Sequence, residues 1–206
     1  EMYFSSTGIG TPEDYEKYNI PTYMCNCFSA KYRESKPKTL EDLYDEIRHM
    51  GSIFRVEKKA EEVVASLKKR EEAVKKAVPN AAPPSVFVFS GGKSSVRTTG
   101  NKSIESYIIK TAGGHNIFED IDGGMLGRTS WEAVIDRNPE VIIIHTGTVI
   151  SDAKTGIELL KSKKELSEIS AIKNNRFFAI PFTKVAAGLE NLDYLEDLAR
   201  FLHPEK

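Results

Sequence analysis

The sequence predicts an α/β fold in which two lobes are joined by one long helix. Three short, mostly apolar segments, residues 86–89, 141–145 and 177–180, alternate with helical patterns in the second half of the chain. Strands that are apolar on both faces and separated by helices are typical of a parallel sheet covered on both sides. Residues 57–78 form a helical pattern with only a narrow apolar stripe, as expected of a strut that is buried on one side.

The composition excludes several classes of protein. The 206 residues include 29 Lys and Arg against 30 Asp and Glu, and 40% of the chain is hydrophobic. A disordered chain has few apolar residues and a large net charge, and a nucleic-acid-binding protein is expected to carry a basic excess. The longest unbroken apolar runs have four residues, whereas a membrane-spanning helix needs about 20. We therefore expect a globular protein with no nucleic-acid partner and no membrane span.

The N-terminal segment, residues 1–37, is predicted to be mostly irregular, with two short elements. A proline followed by acidic residues favours a short helix over residues 12–18, and residues 20–25 favour a short strand. Cys25 and Cys27 are one residue apart, so within a strand they would point to opposite faces. We expect two small buried hydrophobic residues there, with no mutual disulfide and no zinc site.

Two consecutive amphipathic helices are predicted before the α/β part of the chain. Residues 39–54 place apolar side chains at three- and four-residue spacing, and Thr39 with Asp42 forms a variant of the capping box. Gly51 is expected to end or interrupt this helix. Residues 57–78 follow as the strongest helical pattern, with one apolar stripe and a remaining face of Lys, Arg and Glu.

The rest of the chain is predicted to complete the parallel sheet with its covering helices. Helical patterns cover residues 103–112, 130–137, 154–160, 163–169 and 192–202. Together with the three strands they predict an α/β sandwich over residues 79–206. The chain is thus expected to divide into a first lobe at 1–56, a connecting helix at 57–78 and a second lobe at 79–206.

Sequence motifs give no catalytic or metal site. Gly91-Gly92-Lys93-Ser94 follows a strand, but Phe87 stands where a phosphate-binding P-loop requires glycine. The four histidines are isolated, with no pair at the His-x-x-x-His spacing of metal ligands. There is no Gly-x-Ser-x-Gly turn for a nucleophilic serine. These observations favour a binding protein without a cofactor of its own over an enzyme.

Polar side chains gather in three loops that follow the predicted strands. Because the carboxyl ends of parallel strands meet at one edge of a sheet, loops 90–102, 145–152 and 181–191 are expected to form one rim. Arginine, lysine and hydroxyl groups at such a rim suit a polar, anionic ligand. The alternative is a rim that is merely solvated. The candidate ligand contacts are Arg97, Thr98, Arg128, His145, Thr146 and Lys184.

Four stretches of the chain share their order and spacing with a known family. Residues 43–62 are similar to its helix pair that enters the inter-lobe helix, and residues 112–118 resemble its Ala-Gly-Gly-x-Asn-Val turn. Residues 130–142 resemble its Ser-x-Glu…Asn-Pro-Asp-x-Ile segment, and residues 172–181 its Ala-Val-Lys-Asn-Gly-Arg-Val-Tyr-x-Val-Pro segment. By this resemblance the chain is identified as an ABC-transporter substrate-binding protein of the branch for iron-siderophores, haem and cobalamin.

The resemblance implies both a location and partners. Such a protein is periplasmic, or lipid-anchored on the outer face of the cytoplasmic membrane. It binds a ferric siderophore or related metal chelate, with haem and cobalamin as further candidates, and delivers it to the permease subunits of an ABC importer. Glu132 matches the second-lobe glutamate that docks onto permease arginines in the family, although Thr129-x-x-Glu132 also has the pattern of a capping box.

The chain also departs from the family, because it lacks the upstream strands of the first lobe. We therefore expect an incomplete first lobe over residues 1–56, whose exposed sheet edge would permit dimerisation. Two other functions stay open at this point. One is an α/β enzyme domain that acts on a phosphorylated or nucleotide substrate at the same rim, and the other is an interaction fragment that binds no ligand.

Overall fold

The structure confirms a mixed α/β fold built on a parallel sheet. It is a computed structural model that describes residues 3–5, 12–24, 36–92, 96–125, 127–186 and 188–204. No helix in these ranges is both long enough and apolar enough to cross a membrane.

Three short elements precede the long helices. They are β1 (Tyr3–Ser5), α1 (Pro12–Glu16) and β2 (Thr22–Met24), and the two strands pair in parallel. The predicted helix and strand are therefore confirmed in shortened form, whereas β1 lies where the sequence predicts irregular structure. The predictions for Cys25 and Cys27 lie outside the described residues.

The two predicted helices follow as α2 (Leu40–Phe54) and α3 (Glu57–Ala77), which pack against each other. The capping box is confirmed: the backbone N–H of Thr39 donates to Asp42 Oδ2 at 2.7 Å, and the Thr39 hydroxyl accepts from the first-turn backbone. α3 is one uninterrupted helix of 21 residues, about 30 Å long.

The buried residues of α3 lie on one side, as the narrow stripe predicts, and they include a carboxylate. Glu71 is only 5% exposed, and it accepts hydrogen bonds from the hydroxyls of Tyr44 at 2.7 Å and Tyr107 at 2.6 Å. Its remaining charge is balanced by Lys75 Nζ at 2.9 Å. This carboxylate joins α3 both to α2 and to the first helix of the second half of the chain.

Gly51 does not end α2, contrary to the prediction. The helix continues to Phe54 and ends at Arg55, which takes the left-handed conformation at φ 56°. A β-carbon at position 51 would lie 2.5 Å from the β-carbon of Ala60 on α3. The glycine is therefore required for the close approach of the two helices.

We expect Gly51→Val to lower the free energy of unfolding by about 1–3 kcal/mol, since the added side chain overlaps α3. Urea denaturation measures this change. The matched control is Gly123→Val, because a β-carbon at position 123 meets nothing within 4 Å; it should stay within about 0.5 kcal/mol of the unsubstituted chain. Equal losses in both variants would show that the helix crossing does not depend on position 51.

The second half of the chain alternates strands and helices as predicted. In chain order the elements are β3 (Ser85–Phe89), β4 (Val96–Thr98), α4 (Ile104–Thr111), β5 (His115–Asn116), β6 (Gly127–Thr129), α5 (Trp131–Arg137), β7 (Val141–Thr146), α6 (Ala153–Lys161), α7 (Ser170–Lys173), β8 (Phe177–Pro181) and α8 (Glu190–Leu202). Four strands form a parallel sheet in the order β5-β3-β7-β8, and β4 pairs with β6 in antiparallel orientation.

Both faces of the parallel sheet are covered. Alternate side chains of its central strands point to opposite faces, and each set packs in its own apolar cluster. Val86, Val88 and Ile143 pack in one apolar cluster with residues of α3, α4 and α8. Phe87 and Ile144 pack in a second cluster with residues of α5 and the segment that follows α6. This arrangement is the predicted α/β sandwich. The division into lobes at residues 56 and 78 stays a prediction.

One helix prediction is wrong. Residues 163–169 form a short 3₁₀ turn at Lys164–Leu166 in place of an α-helix, and α7 begins only at Ser170. Leu166 and Ile169 are both buried, and their three-residue spacing suits the three residues per turn of a 3₁₀ helix. The N-terminus of α7 is held by a residue outside the helix, since the Ser170 N–H donates to the Asn138 side chain at 2.8 Å.

Candidate functional site

The carboxyl ends of β3, β7 and β8 lie side by side, because these strands are neighbours in the parallel sheet. The segments that leave them begin at Ser90, Gly147 and Phe182. The structure thus brings the three predicted loops to one edge, where open α/β sheets bind ligands. We call this edge the rim.

Two arginines face each other beside the rim. Arg97 on β4 and Arg128 on β6 are paired residues of the antiparallel ladder, so their side chains extend from the same face with β-carbons about 4.5–5.5 Å apart. Guanidinium groups that lie this close together can donate hydrogen bonds to the same anion, so the arginine pair is a candidate anion site.

Arg97 differs from other arginines of the chain in its surroundings. The side chains of Arg48, Arg70 and Arg137 each form an ion pair with a carboxylate. Among the ion pairs of the described ranges, none includes Arg97, which is half-buried. Its positive charge is therefore available to a ligand.

β4 is fixed to the end of β3 by two backbone hydrogen bonds. The Ser90 N–H donates to the Arg97 carbonyl at 3.0 Å, and the Arg97 N–H donates to the Gly91 carbonyl at 2.9 Å. Gly91 has a φ of 92°, and a β-carbon there would approach Val149 to 3.0 Å. Glycine at this position therefore lets the loops after β3 and β7 meet next to Arg97.

Thr98 lies on the opposite side of β4 from Arg97. Along this strand Val96 and Thr98 are fully buried while Arg97 is half-buried, as the alternation of a strand requires. The Thr98 hydroxyl is buried without a hydrogen-bond partner among the residues that the structure describes. Its side chain points into the core, so we do not propose Thr98 as a ligand contact.

His145 is enclosed and does not face the rim. Its exposure is 0%, its Nδ1 lies 2.5 Å from Ser90 Oγ, and its Nε2 lies 2.8 Å from Glu105 Oε1. The ring of Phe182 packs edge-on against it at 5.6 Å between centroids. Because both ring nitrogens have hydrogen-bond partners, we expect His145 to support the rim and not to contact the ligand directly.

Glu105 is the buried partner of His145, and the sequence analysis missed it. Its carboxylate accepts hydrogen bonds from Thr99 Oγ1 at 2.6 Å and from the Tyr194 hydroxyl at 2.9 Å, in addition to His145. Burial alone would raise the pKa of Glu105, but the charge of His145 and these hydrogen bonds outweigh burial and hold the pKa below its usual value. A glutamate on the same helical face as Ile108 and Ile109 was the signal that could have revealed it.

Thr146 and Lys184 lie at the rim as predicted from strand order. Thr146 is the half-buried last residue of β7, next to Pro181 at the end of β8. Lys184 is half-buried in the turn after β8, with its Nζ 3.8 Å from Glu190 Oε1. The charge of Lys184 is partly balanced by that carboxylate, so we expect a smaller part in ligand binding than for Arg97.

Glu132 is an exposed residue in the first turn of α5. The predicted Thr129-x-x-Glu132 capping box is wrong, because the helix is capped by Ser130, whose hydroxyl accepts from the Ala133 N–H at 3.2 Å. The backbone N–H of Glu132 and the Ser130 side chain lower the pKa of the Glu132 carboxyl. Glu132 is thus an ionised group on the surface, and Ser130, not Thr129, is the N-cap of this helix.

A cavity of about 450 Å³ lies elsewhere, between the start of α2, α4 and the sheet edge at β5. Lys38, Lys110 and Asn101 are among its lining residues. None of the predicted ligand contacts lines it. It is therefore separate from the arginine pair.

Comparisons with known proteins identify the family of the chain and its fold. Residues 1–183 match a family described as periplasmic binding protein. The chain is 30% identical to an uncharacterised lipoprotein of Methanocaldococcus jannaschii, over 72% of this chain and 39% of the relative. It is 23% identical to an uncharacterised ABC transporter substrate-binding lipoprotein of Bacillus subtilis, over 82% of this chain and 52% of the relative. The chain thus spans about two fifths and about half, respectively, of the length of these curated relatives.

One solved structure extends the likeness to the whole fold. The crystal structure of an ABC-type Fe³⁺-hydroxamate transport system from Saccharomonospora viridis superimposes with a TM-score of 0.82 at 22% identity, over 98% of this chain and 68% of that chain. At this identity the likeness shows a common fold.

Proposed function

The chain belongs to the periplasmic binding protein family, and we propose that it is the extracytoplasmic ligand-binding component of an ABC importer for a ferric siderophore or related metal chelate. The names of its relatives support this proposal, since one is a substrate-binding lipoprotein of an ABC transporter and another belongs to an Fe³⁺-hydroxamate transport system. The family consists of binding proteins and not of enzymes, in agreement with the lack of catalytic motifs.

The observation that carries the choice of ligand is the pairing of Arg97 with Arg128 beside the rim. Guanidinium groups donate hydrogen bonds in a fixed planar fork that suits carboxylate and phenolate oxygens. Fe³⁺ held by three catecholates is a trianion, whereas Fe³⁺ held by three hydroxamates is neutral. The arginine pair therefore favours an anionic chelate, with the iron held by the chelator and the outer oxygens bound by the protein.

A panel of ligands in a thermal unfolding experiment tests this proposal. The panel contains a ferric tricatecholate, a ferric trihydroxamate, haemin, cobalamin, ATP and the iron-free chelators. At 100 times the dissociation constant, a ligand stabilises the folded state by about 2.7 kcal/mol, so we expect a clear rise in Tm with the tricatecholate. A rise with ATP alone would support the nucleotide enzyme, and no rise with any compound would support a fragment that binds no ligand.

Glu132 is our candidate for contact with the permease, because it is ionised and exposed and matches the docking glutamate of the resembling family. We expect Glu132→Gln in the full-length protein to reduce uptake of the iron chelate by cells, while the chelate affinity and the urea midpoint stay unchanged. Asp136→Asn removes another exposed carboxylate from the same helix and serves as the control. Equal uptake in both variants would remove Glu132 from the docking surface.

A further inference from the structure

A buried polar cluster is attached to β4, the strand that carries Arg97. Its members are Ser90, Thr99, Glu105, His145 and Tyr194, all at most 6% exposed; we call it the Glu105 cluster. We propose that the Glu105 cluster positions Arg97 for its ligand, with Thr99, two residues further along the chain, as a positioning residue. This inference rests on the proposed function, in which Arg97 binds an anionic chelate.

The cluster holds the strand of Arg97 on both sides. On one side, His145 binds the Ser90 hydroxyl, and the Ser90 N–H donates to the Arg97 carbonyl. On the other side, the Thr99 hydroxyl donates to Glu105 Oε2 at 2.6 Å. Both attachments lead to one carboxylate–imidazole pair, because His145 Nε2 contacts Glu105 Oε1 at 2.8 Å.

β4 requires such support, because its own ladder is weak. β4 and β6 are three residues each, and a two-stranded sheet of that length is marginal in water. A hydrogen bond to a buried, ionised carboxylate is stronger than one between neutral groups, so the Thr99–Glu105 bond gives β4 an attachment that its own ladder does not supply.

Holding Arg97 in place also favours binding. A charged donor that is already fixed loses less conformational freedom when the ligand arrives than a mobile one. The effect concerns only ligands that Arg97 contacts through its charge. We therefore expect the cluster to influence the affinity for an anionic chelate and to leave the affinity for a neutral chelate unchanged.

The test compares two substitutions of Thr99. Thr99→Val removes the hydroxyl at nearly constant volume, and Thr99→Ser keeps it. We expect Thr99→Val to weaken ferric tricatecholate binding about 3- to 10-fold, the loss of one hydrogen bond, with no change for the neutral trihydroxamate. Thr99→Ser should bind both chelates as the unsubstituted chain does. Equal weakening for both chelates would indicate a merely structural role and overturn the proposal.

A double-mutant cycle links the effect to Arg97. If Thr99 acts through Arg97, then Thr99→Val has no further effect on tricatecholate affinity once Arg97→Gln is present. Additive losses would overturn the inference. If the proposed function fails instead, Arg97→Gln by itself leaves the tricatecholate affinity unchanged.

A measurement without ligand completes the test. The Arg97 N–H is hydrogen-bonded to Gly91, so its hydrogen exchange reports how firmly β4 is held. We expect faster exchange of this amide in Thr99→Val, unchanged exchange in Thr99→Ser, and unchanged exchange of the central β7 amides in both. Unchanged Arg97 exchange in Thr99→Val would overturn the inference even if no chelate binds.

Discussion

Replacing His145 by leucine is expected to lower the free energy of unfolding by about 3–5 kcal/mol, because it leaves a buried, ionised carboxylate without its imidazole partner. His145 and Glu105 are both 0% exposed, and the atoms of their contact, Nε2 and Oε1, are 2.8 Å apart. Thr99 and Tyr194 would still donate to Glu105, but leucine cannot replace the contact of the imidazole with Oε1. Guanidinium chloride denaturation at neutral pH measures the loss.

His115→Leu is the matched control for this substitution. The His115 side chain is 46% exposed, and its Nδ1 lies 3.7 Å from Glu119 Oε2. An exposed pair of this kind contributes at most about 1 kcal/mol, so the control should remain close to the unsubstituted chain. A similar, small loss in both variants would show that Glu105 does not depend on its contact with His145.

Arg97→Gln is expected to weaken the binding of a ferric tricatecholate about 10- to 100-fold, the effect of losing hydrogen bonds from a charged donor. Stability should not fall, because no ion pair of the described residues includes Arg97 and the substitution therefore breaks none. A weaker affinity can then be assigned to the lost contact and not to a damaged fold. Isothermal titration calorimetry at fixed ionic strength measures both affinity and stoichiometry.

Arg200→Gln removes the same charge far from the rim and controls for net charge. Arg200 is exposed on α8, where it forms an ion pair with Asp197. It should bind the tricatecholate as the unsubstituted chain does, and neither variant should change the affinity for the neutral trihydroxamate. If Arg200→Gln weakens binding as much as Arg97→Gln, the attraction is a general charge effect and the arginine pair is not the site.

The sequence predicted those elements whose burial leaves a clear pattern. The apolar runs that became β3 and β7 are buried in the sheet, whereas β8 lies at its edge and buries only Ile180. The stripe of α3 matches its buried residues. β4, β5 and β6 have two or three residues each, too few for any periodicity to appear. Gly51 was misjudged because its role depends on a contact with Ala60 in the next helix, which local sequence does not express.

The site was predictable only as far as strand order determines it. Loops after neighbouring parallel strands share an edge, so strand order could assign Arg97, Thr146 and Lys184 to loops at the same edge; their part in ligand binding stays a prediction. The direction of each side chain depends on the pairing of β4 with β6, which brings Arg128 opposite Arg97 and turns Thr98 inward. The Glu105 cluster joins residues up to 89 positions apart, and no motif in the sequence connects them.

The central claim is that an anionic iron chelate binds at the rim beside the arginine pair. Nuclear magnetic resonance tests it directly, because Fe³⁺ is paramagnetic and broadens the amide signals closest to it, while the gallium chelate of the same shape does not. With a ferric tricatecholate, we predict broadening centred on Gly91, Arg97, Arg128 and Thr146. Broadening centred on the cavity beside Lys38 and Lys110, or no difference between the two metals, would contradict the account.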